Sequence, residues 1–251
     1  MEVDLESYKK HDRAYKSLDV ETAFSKMKIL DKLDFFNFYG FAEAIRTNPK
    51  VRDLHVDIGS GAGWLIKHTA PIFKKVLSVE PSVRATEISK IYNSEFSNIE
   101  YLNEDMVLAF SHLPVDEPYF VTTSAVFCHI KDFHVENFLR LLNHAPKGTV
   151  LLFCEPYDKN IQQPFWHIRN QEWWRKNLPL WNLEFRGIKG VWEGKVEPYK
   201  KVIYGVCVGE RVVEPTTLGR RMYRKLWWGL QGIFFKLRYA LVRFIKKVFR
   251  I

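Results

Sequence analysis

The stretch "LHVDIGSGAGWLIKH", from Leu54 to His68, decides the fold of this chain. An apolar run is followed by three glycines at alternate positions, Gly59, Gly61 and Gly63, and then by a second apolar run with helical spacing. This pattern predicts a strand, a glycine turn and a helix. Ligands of open parallel sheets bind beyond the carboxyl ends of the strands. We therefore expect Gly59 and Gly61 to let the backbone approach a ligand, and Gly63 to let the helix pack closely.

Short β-branched runs alternate with helical stretches on both sides of this turn, which predicts a parallel sheet covered by helices on both faces. Residues 4–47 are expected to be helical. Two later runs, "LEFRGIKGVWEG" and "YKKVIYGVCVGE", predict an antiparallel pair that closes the sheet. The predicted strands are 54–58, 76–80, 99–103, 120–124, 149–154 and these two. The fold class is therefore α/β, with a mostly parallel seven-stranded sheet.

The glycine spacing is one residue tighter than the G-x-G-x-x-G of dinucleotide-binding turns, and Trp64 follows it, which argues against a pyrophosphate site. Together with Asp57, the turn instead resembles motif I of the class I S-adenosylmethionine-dependent methyltransferases. Further segments resemble that family in order and spacing: "VLSVEPS", "IEYLNEDM", "VTTSAVFCHIKD" and "LLNHAPKGTVLLFCEP". The resemblance covers roughly residues 50–210 and implies a Rossmann-like fold and S-adenosylmethionine as the cofactor.

The resemblance also implies which residues bind that cofactor. Glu80 would accept hydrogen bonds from both ribose hydroxyls, Asp105 would receive the adenine amino group and Met106 would cover the ring. The full implied set is Asp57, Gly59, Ser60, Gly61, Gly63, Glu80, Asp105, Met106 and Ser124. Taken alone, Glu80 has a second interpretation as a solvated strand-end residue. Asp105 has one as a helix N-cap.

Methyl transfer to a hydroxyl requires removal of a proton. The candidate base is His129, just past the fourth strand, with a packing role as its alternative; a neutral imidazole suits this task near pH 7. His134, Glu155 and His167 are the next candidates. The sequence has no HExxH motif or carboxylate cluster, so no metal is expected.

The segment after the fifth strand is expected to select the substrate, because it is rich in aromatic side chains. From it we predict Glu155, Tyr157, Trp166 and His167 as substrate residues. Trp173 and Trp174 have an equally good interpretation as core residues of an added helix. The N-terminal helices, with Tyr8, His11 and Tyr15, either form a lid over the cofactor or serve only in packing.

The positive charge of the chain is concentrated at its end. The net charge is +9, and residues 215–251 contain ten Lys or Arg and no Asp or Glu, so the remainder is nearly neutral. On a helix, the apolar and the basic residues of 220–251 fall on opposite faces, and no apolar run approaches the length of a membrane span. This pattern predicts a helix lying on an anionic membrane surface. A helix packed on the domain is the alternative, whereas the near-neutral body and the apolar character of the tail argue against nucleic acid.

These patterns together predict three regions: an N-terminal helical cap (1–49), a methyltransferase domain (50–212) and a basic amphipathic tail (213–251). The expected enzyme is an O-methyltransferase for a membrane-linked glycan, because the chain resembles bacterial surface-polysaccharide (O-antigen type) methyltransferases with a basic end. A methyltransferase for a soluble small molecule or lipid and a non-catalytic scaffold are the alternatives. The acidic N-terminus predicts no secretion signal and a place on the inner face of the cell membrane, with a protein of polysaccharide assembly as a possible partner. Cys128, Cys154 and Cys207 are expected to be buried free thiols.

Overall fold

A computed structural model describes residues 17–32, 34–38, 40–48, 51–156, 167–188 and 204–212. These residues belong to the first of two compact units, Met1–Val213. The second unit, Glu214–Ile251, with the predicted membrane-binding tail, lies outside the described residues. The boundaries predicted for the three regions therefore stay predictions.

Seven strands form one sheet, in the order β3-β2-β1-β4-β5-β7-β6. Their bounds are β1 Leu54–Ile58, β2 Lys75–Val79, β3 Ile99–Leu102, β4 Phe120–Ser124, β5 Val150–Pro156, β6 Trp181–Ile188 and β7 Tyr204–Arg211. Strands β1 to β5 pair in parallel, and β7 pairs antiparallel with both β5 and β6. This confirms the predicted α/β fold, including the antiparallel pair that closes the sheet.

The helices connect the strands and precede the sheet. Their bounds are α1 Val20–Lys32, α2 Phe35–Phe38, α3 Phe41–Thr47, α4 Trp64–Thr69, α5 Val83–Tyr92, α6 Met106–Ala109, α7 Asp132–Leu142 and α8 Gln171–Asn177. The described part of the predicted N-terminal helical region is thus divided into three helices. Asp34 (φ 50°) and Gly40 (φ 74°) adopt left-handed backbone conformations between them, which a continuous helix does not allow. Tyr8, His11 and Tyr15 lie outside the described residues.

The apolar side chains of the central strands are buried from both sides, as expected for a parallel sheet between two helical layers. Val56 of β1, Val76 of β2 and Phe120 of β4 have no exposed surface. Burying such a side chain contributes roughly 1.5–3 kcal/mol, so the centre of the sheet is the most strongly stabilised part of the domain. The rigid centre fixes the positions of the loops that leave the carboxyl ends of β1, β2 and β4.

Two of the three cysteines, Cys128 and Cys154, are buried and free, as predicted. Burial raises the pKa of both thiols, so neither is a reactive thiolate at neutral pH. Cys207 lies on β7 opposite Phe153 of β5. Within the described residues, no helix is long and apolar enough to span a bilayer.

Candidate active site

The glycine turn leaves the carboxyl end of β1, between β2 and β4, where the sheet order reverses. Gly59 has a φ of 68°, and a Cβ built on it would lie 2.4 Å from Cγ2 of Val126. Only glycine therefore lets the loop after β4 lie against the turn. The loop after β4 fills the space that a side chain at Gly59 would need, so this glycine also serves close packing; its expected contact with a ligand stays a prediction.

Gly63 allows the close helix packing that was expected of it. Its φ is 87°, and a Cβ would lie 2.1 Å from Oγ of Ser89 on α5. The side-chain amide of Asn93 donates to the Gly63 carbonyl over 3.1 Å. The turn is thereby held against α5 at the point where α4 begins.

Glu80 follows β2 and is buried, with 1% of its surface exposed. Its Oε2 accepts a hydrogen bond from the Gly61 amide at 3.0 Å, and its Oε1 accepts one from the Ser82 amide at 2.9 Å. This excludes the interpretation as a solvated strand-end residue. The carboxylate joins the glycine turn to the start of α5, next to the place where the predicted ribose contact would be made.

Asp57 heads a buried hydrogen-bonded chain that the sequence did not reveal. Its Oδ1 accepts from Oγ1 of Thr122 at 2.7 Å, and that oxygen lies 2.7 Å from Nε2 of His55. When Asp57 is ionised, the Thr122 proton is committed to it, and the His55 nitrogen is then the donor to Thr122. Burial lowers the pKa of His55 to about 3, so this ring is neutral. Burial, together with the charge of Glu80, raises the pKa of Asp57 to about 7 against the opposing Thr122 bond.

Asp105 is the N-cap of α6, the alternative that its sequence position had left open. Its Oδ1 accepts from the Val107 amide at 2.7 Å, and its Oδ2 lies 2.6 Å from Nε2 of His134. His134 is completely buried and its ring contacts Asp105, so it cannot take a proton from a methyl acceptor. Met106 is buried beside it, and the adenine contacts of both residues stay predictions.

A cavity of about 440 Å³ lies over the glycine turn. Five predicted cofactor residues share its wall with residues of α1 and α4. The lining comprises Leu18, Ala23, Lys26, Met27, Leu30, Asp57, Gly59, Ser60, Gly61, Ala62, Trp64, Leu65 and Ser124. The size lies in the range of small-molecule sites. Ser60 and the buried acid Asp57 offer polar partners to the amino-acid end of S-adenosylmethionine, so the residues present fit this cofactor. Four predicted cofactor residues are not part of this wall. Two belong to or border the turn, Gly63 and Glu80, and two follow β3, Asp105 and Met106.

The loop after β4 carries His129 and is held from one side by Glu155 of β5. The Glu155 carboxylate accepts hydrogen bonds from the amides of Val126 (3.1 Å), Phe127 (3.1 Å) and Cys128 (3.0 Å). Burial raises the pKa of Glu155, opposed by these bonds. Glu155, predicted as a substrate residue and alternative base, thus has a structural role in holding the loop. Its contact with a substrate stays a prediction.

Arg169 holds the same loop from the other side, and no spacing in the sequence pointed to it. Its guanidinium donates to the carbonyls of Phe127 and Ile130, each at 2.6 Å, and to Oδ1 of Asp132 at 2.8 Å. The side chain is buried and stacks on the Trp173 ring, with 4.9 Å from Cζ to the ring centroid. Glu155 therefore binds the amides of the loop and Arg169 its carbonyls. Together they fix a segment in which Ala125 has a φ of 54°.

Two exposed histidines belong to this loop or contact its backbone. His129 ends the short 3-10 turn Phe127–His129, and the His167 amide donates to the Cys128 carbonyl at 2.8 Å. Both side chains are exposed. Tyr157 and Trp166, the other predicted substrate residues, lie outside the described residues. Trp174 is buried against Phe153, with 4.2 Å between ring centroids, so for this residue the core interpretation is confirmed.

Comparison with known proteins identifies the family and the fold of this domain. The sequence model of a family described as a methyltransferase domain matches residues 32–189, more than half of the chain. A search of the curated proteins gave no match. The fold resembles that of an S-adenosylmethionine-dependent methyltransferase from Clostridium acetobutylicum ATCC 824, with a TM-score of 0.56 and 15% identity over 78% of this chain and 100% of that one.

Two further solved structures contain the cofactor or its product. The N-methyltransferase NodS from Bradyrhizobium japonicum WM9, in complex with S-adenosyl-L-homocysteine, has a TM-score of 0.54 and 14% identity over 68% of this chain and 84% of that one. Magnesium protoporphyrin IX methyltransferase (ChlM) from Synechocystis PCC 6803, with bound S-adenosylmethionine, has a TM-score of 0.53 and 12% identity over 74% and 79%. At these identities the likeness is one of fold.

Proposed function

We propose that this chain, which belongs to the methyltransferase domain family and uses S-adenosylmethionine, methylates a hydroxyl of a membrane-linked glycan. The observation that carries the choice of a hydroxyl is the exposed His129 on a loop fixed at the carboxyl end of β4. The same strand end contributes Ser124 to the wall of the cavity. A proton acceptor thus stands on the loop that continues from the cavity wall.

The proposed reaction needs a methyl group on a good leaving group, which the sulfonium of bound S-adenosylmethionine supplies. With that cofactor bound, the hydroxyl oxygen of the acceptor would form a bond to the methyl carbon as the carbon–sulfur bond breaks, and S-adenosylhomocysteine would leave. A ring nitrogen of His129 takes the hydroxyl proton. Neutral imidazole is suited to this because near pH 7 it has a ring nitrogen ready to accept a proton.

Glu155 and Arg169 would serve this reaction by fixing the position of His129. Five backbone groups of the loop are bound by these two side chains. The base is thereby held in place before the acceptor arrives, and such preorganisation lowers the entropic part of the barrier. Exposed His167, whose backbone amide donates to the Cys128 carbonyl of the same loop, is proposed to contact the acceptor.

The membrane part of the proposal rests on the sequence of residues 215–251, with ten cations and no anion. Each cation near an anionic surface contributes about 1 kcal/mol of attraction, which salt weakens. An enzyme bound in this way on the inner face of the cell membrane would meet acceptors that are attached to lipid.

The test incubates the full chain with methyl-labelled S-adenosylmethionine and fractionated cell envelope. We expect label in a lipid-linked glycan fraction, released as an O-methyl sugar on hydrolysis. Label in a soluble metabolite or a free lipid would instead establish one of the alternative acceptors, and incorporation on nitrogen would refute the hydroxyl assignment.

A second experiment tests membrane binding independently of methyl transfer. The full chain and a version ending at Glu214 are sedimented with vesicles of varied anionic lipid content. We expect only the full chain to sediment, and less of it at high salt. A full chain that stays in the supernatant with anionic vesicles at low salt would refute the membrane proposal and leave the methyl-transfer assignment intact.

A further inference from the structure

Helix α1 forms one wall of the cavity over the glycine turn. Ala23, Lys26, Met27 and Leu30 line the cavity, and their spacing places them on one face of the helix. The rest of the lining includes Asp57 and the turn residues. The cavity is therefore enclosed on this side only as long as α1 stays docked.

Helix α1 is docked by an apolar cluster whose buried members are Ala23, Met27 and Ile88 of α5. The partly buried residues packed around them are Leu18, Val20, Phe24, Ala62, Trp64 and Tyr92. Leu30 of α1 packs against the main core. The rings of Phe24 and Tyr92 approach to 5.0 Å between centroids. Ala23 and Met27 are the residues of α1 that this cluster buries, and polar contacts at the end of the helix add to this apolar docking.

Those polar contacts converge on one carboxylate, that of Asp31 in the last turn of α1. The indole Nε1 of Trp64 donates to its Oδ1 at 2.7 Å, and Nε2 of His68 lies 2.9 Å from the same atom. Asp31 also acts on Tyr92 of α5, where burial and then this carboxylate raise the pKa of the phenol. Trp64 is itself a residue of the cavity wall, so its bond to Asp31 ties the two walls together.

We propose that Asp31 is the latch that holds α1 closed over the methyl donor and sets the rate at which S-adenosylhomocysteine leaves. The carboxylate does not line the cavity; it acts through Trp64 and His68 and is a positioning residue. If the latch is broken, the closed state is less populated and apparent affinity falls by that fraction. The inference depends on donor binding in this cavity and is independent of the acceptor.

The test is a double-mutant cycle on the full chain, with Asp31→Ala, Trp64→Phe and the pair. Trp64→Phe keeps an aromatic ring at this position. It removes the indole N–H donor and one of the two fused rings. S-adenosylhomocysteine affinity is measured by calorimetry and its release rate by surface plasmon resonance. Each single variant should release the product roughly fivefold to tenfold faster, the scale of one ordinary hydrogen bond, because the bonds to Asp31 are partly exposed to solvent. The pair should be no faster than Asp31→Ala alone.

Glu21→Ala is the matched control, because Glu21 is an exposed carboxylate in the first turn of the same helix. Its release rate should equal that of the wild type. An unchanged release rate in Asp31→Ala, or fully additive effects in the pair, would overturn the latch. Failure of the wild type to bind S-adenosylhomocysteine would contradict the donor assignment, a result distinguishable from either of these.

Discussion

The hydroxyl of Thr122 on β4 donates a 2.7 Å hydrogen bond to Oδ1 of Asp57 on the neighbouring strand β1. Thr122 also contacts neutral His55. The charge state of Asp57, which lines the cavity, is therefore linked to a second titratable group inside the sheet. Two buried titratable groups, with pKa values displaced in opposite directions, are thus joined through one hydroxyl.

The first prediction concerns stability against pH. Burial raises the pKa of Asp57 from 3.8 to about 7, so the folded state binds this proton more tightly than the unfolded state. The contribution of Asp57 to stability therefore falls as pH rises from about 4 to 7. His55, whose pKa falls from 6.5 to about 3, contributes the opposite slope, with stability lost on acidification between these values. The two slopes oppose each other in the wild type over most of this window.

Asp57→Asn keeps an acceptor for Thr122 and removes the carboxyl titration. Urea unfolding between pH 5 and 8 should show the variant gaining stability relative to the wild type as pH rises, by a few kcal/mol, until about pH 7. The stability of the variant should also fall more steeply on acidification, because the His55 contribution is no longer opposed. A difference between the two proteins that does not vary with pH would refute the assignment.

The second prediction concerns the contact between the glycine turn and the loop after β4. Gly59→Ala places a Cβ 2.4 Å from Val126 at a φ of 68°. It should destabilise the domain by about 2–4 kcal/mol, as overpacking and left-handed strain add. Val126→Ala in the same chain should restore part of this loss but not the strain. Chemical denaturation of the two single variants and the pair measures the overpacking and the backbone strain separately. Equal stability of Gly59→Ala and wild type would show that the loop does not lie against the turn.

The third prediction concerns His129. His129→Ala should lower turnover of the methylated acceptor by roughly a hundredfold or more, because a positioned base contributes on this scale. S-adenosylhomocysteine affinity should stay unchanged, since the side chain is exposed on the loop and is not part of the cavity wall. His167→Ala serves as the comparison, with a smaller loss that appears mainly in KM. Near-normal turnover of His129→Ala would remove this residue from the mechanism.

Local patterns in the sequence predicted the sheet because alternation and turn residues are properties of short segments. The glycine turn and the packing role of Gly63 follow from such a pattern. The roles of Glu155 and Arg169 do not, because their partners lie 27–29 and 39–42 residues away in the chain. The Asp31–Trp64 bond spans 33 residues and was missed for the same reason. A carboxylate that binds backbone amides has the same sequence appearance as one that binds a substrate.

The central claim, that the glycine turn and Glu80 form a methyl-donor site, is tested most directly by calorimetry of S-adenosylhomocysteine with the full chain and with Glu80→Ala. The carboxylate is buried beside the turn and accepts a hydrogen bond from the Gly61 amide at 3.0 Å, so its removal takes away the predicted ribose partner and loosens the turn. At about 1.5–3 kcal/mol for each hydrogen bond to a charged group, we predict that the wild type binds and that the variant loses at least tenfold in affinity. Equal affinity of the two proteins, or no binding by the wild type, would contradict the account.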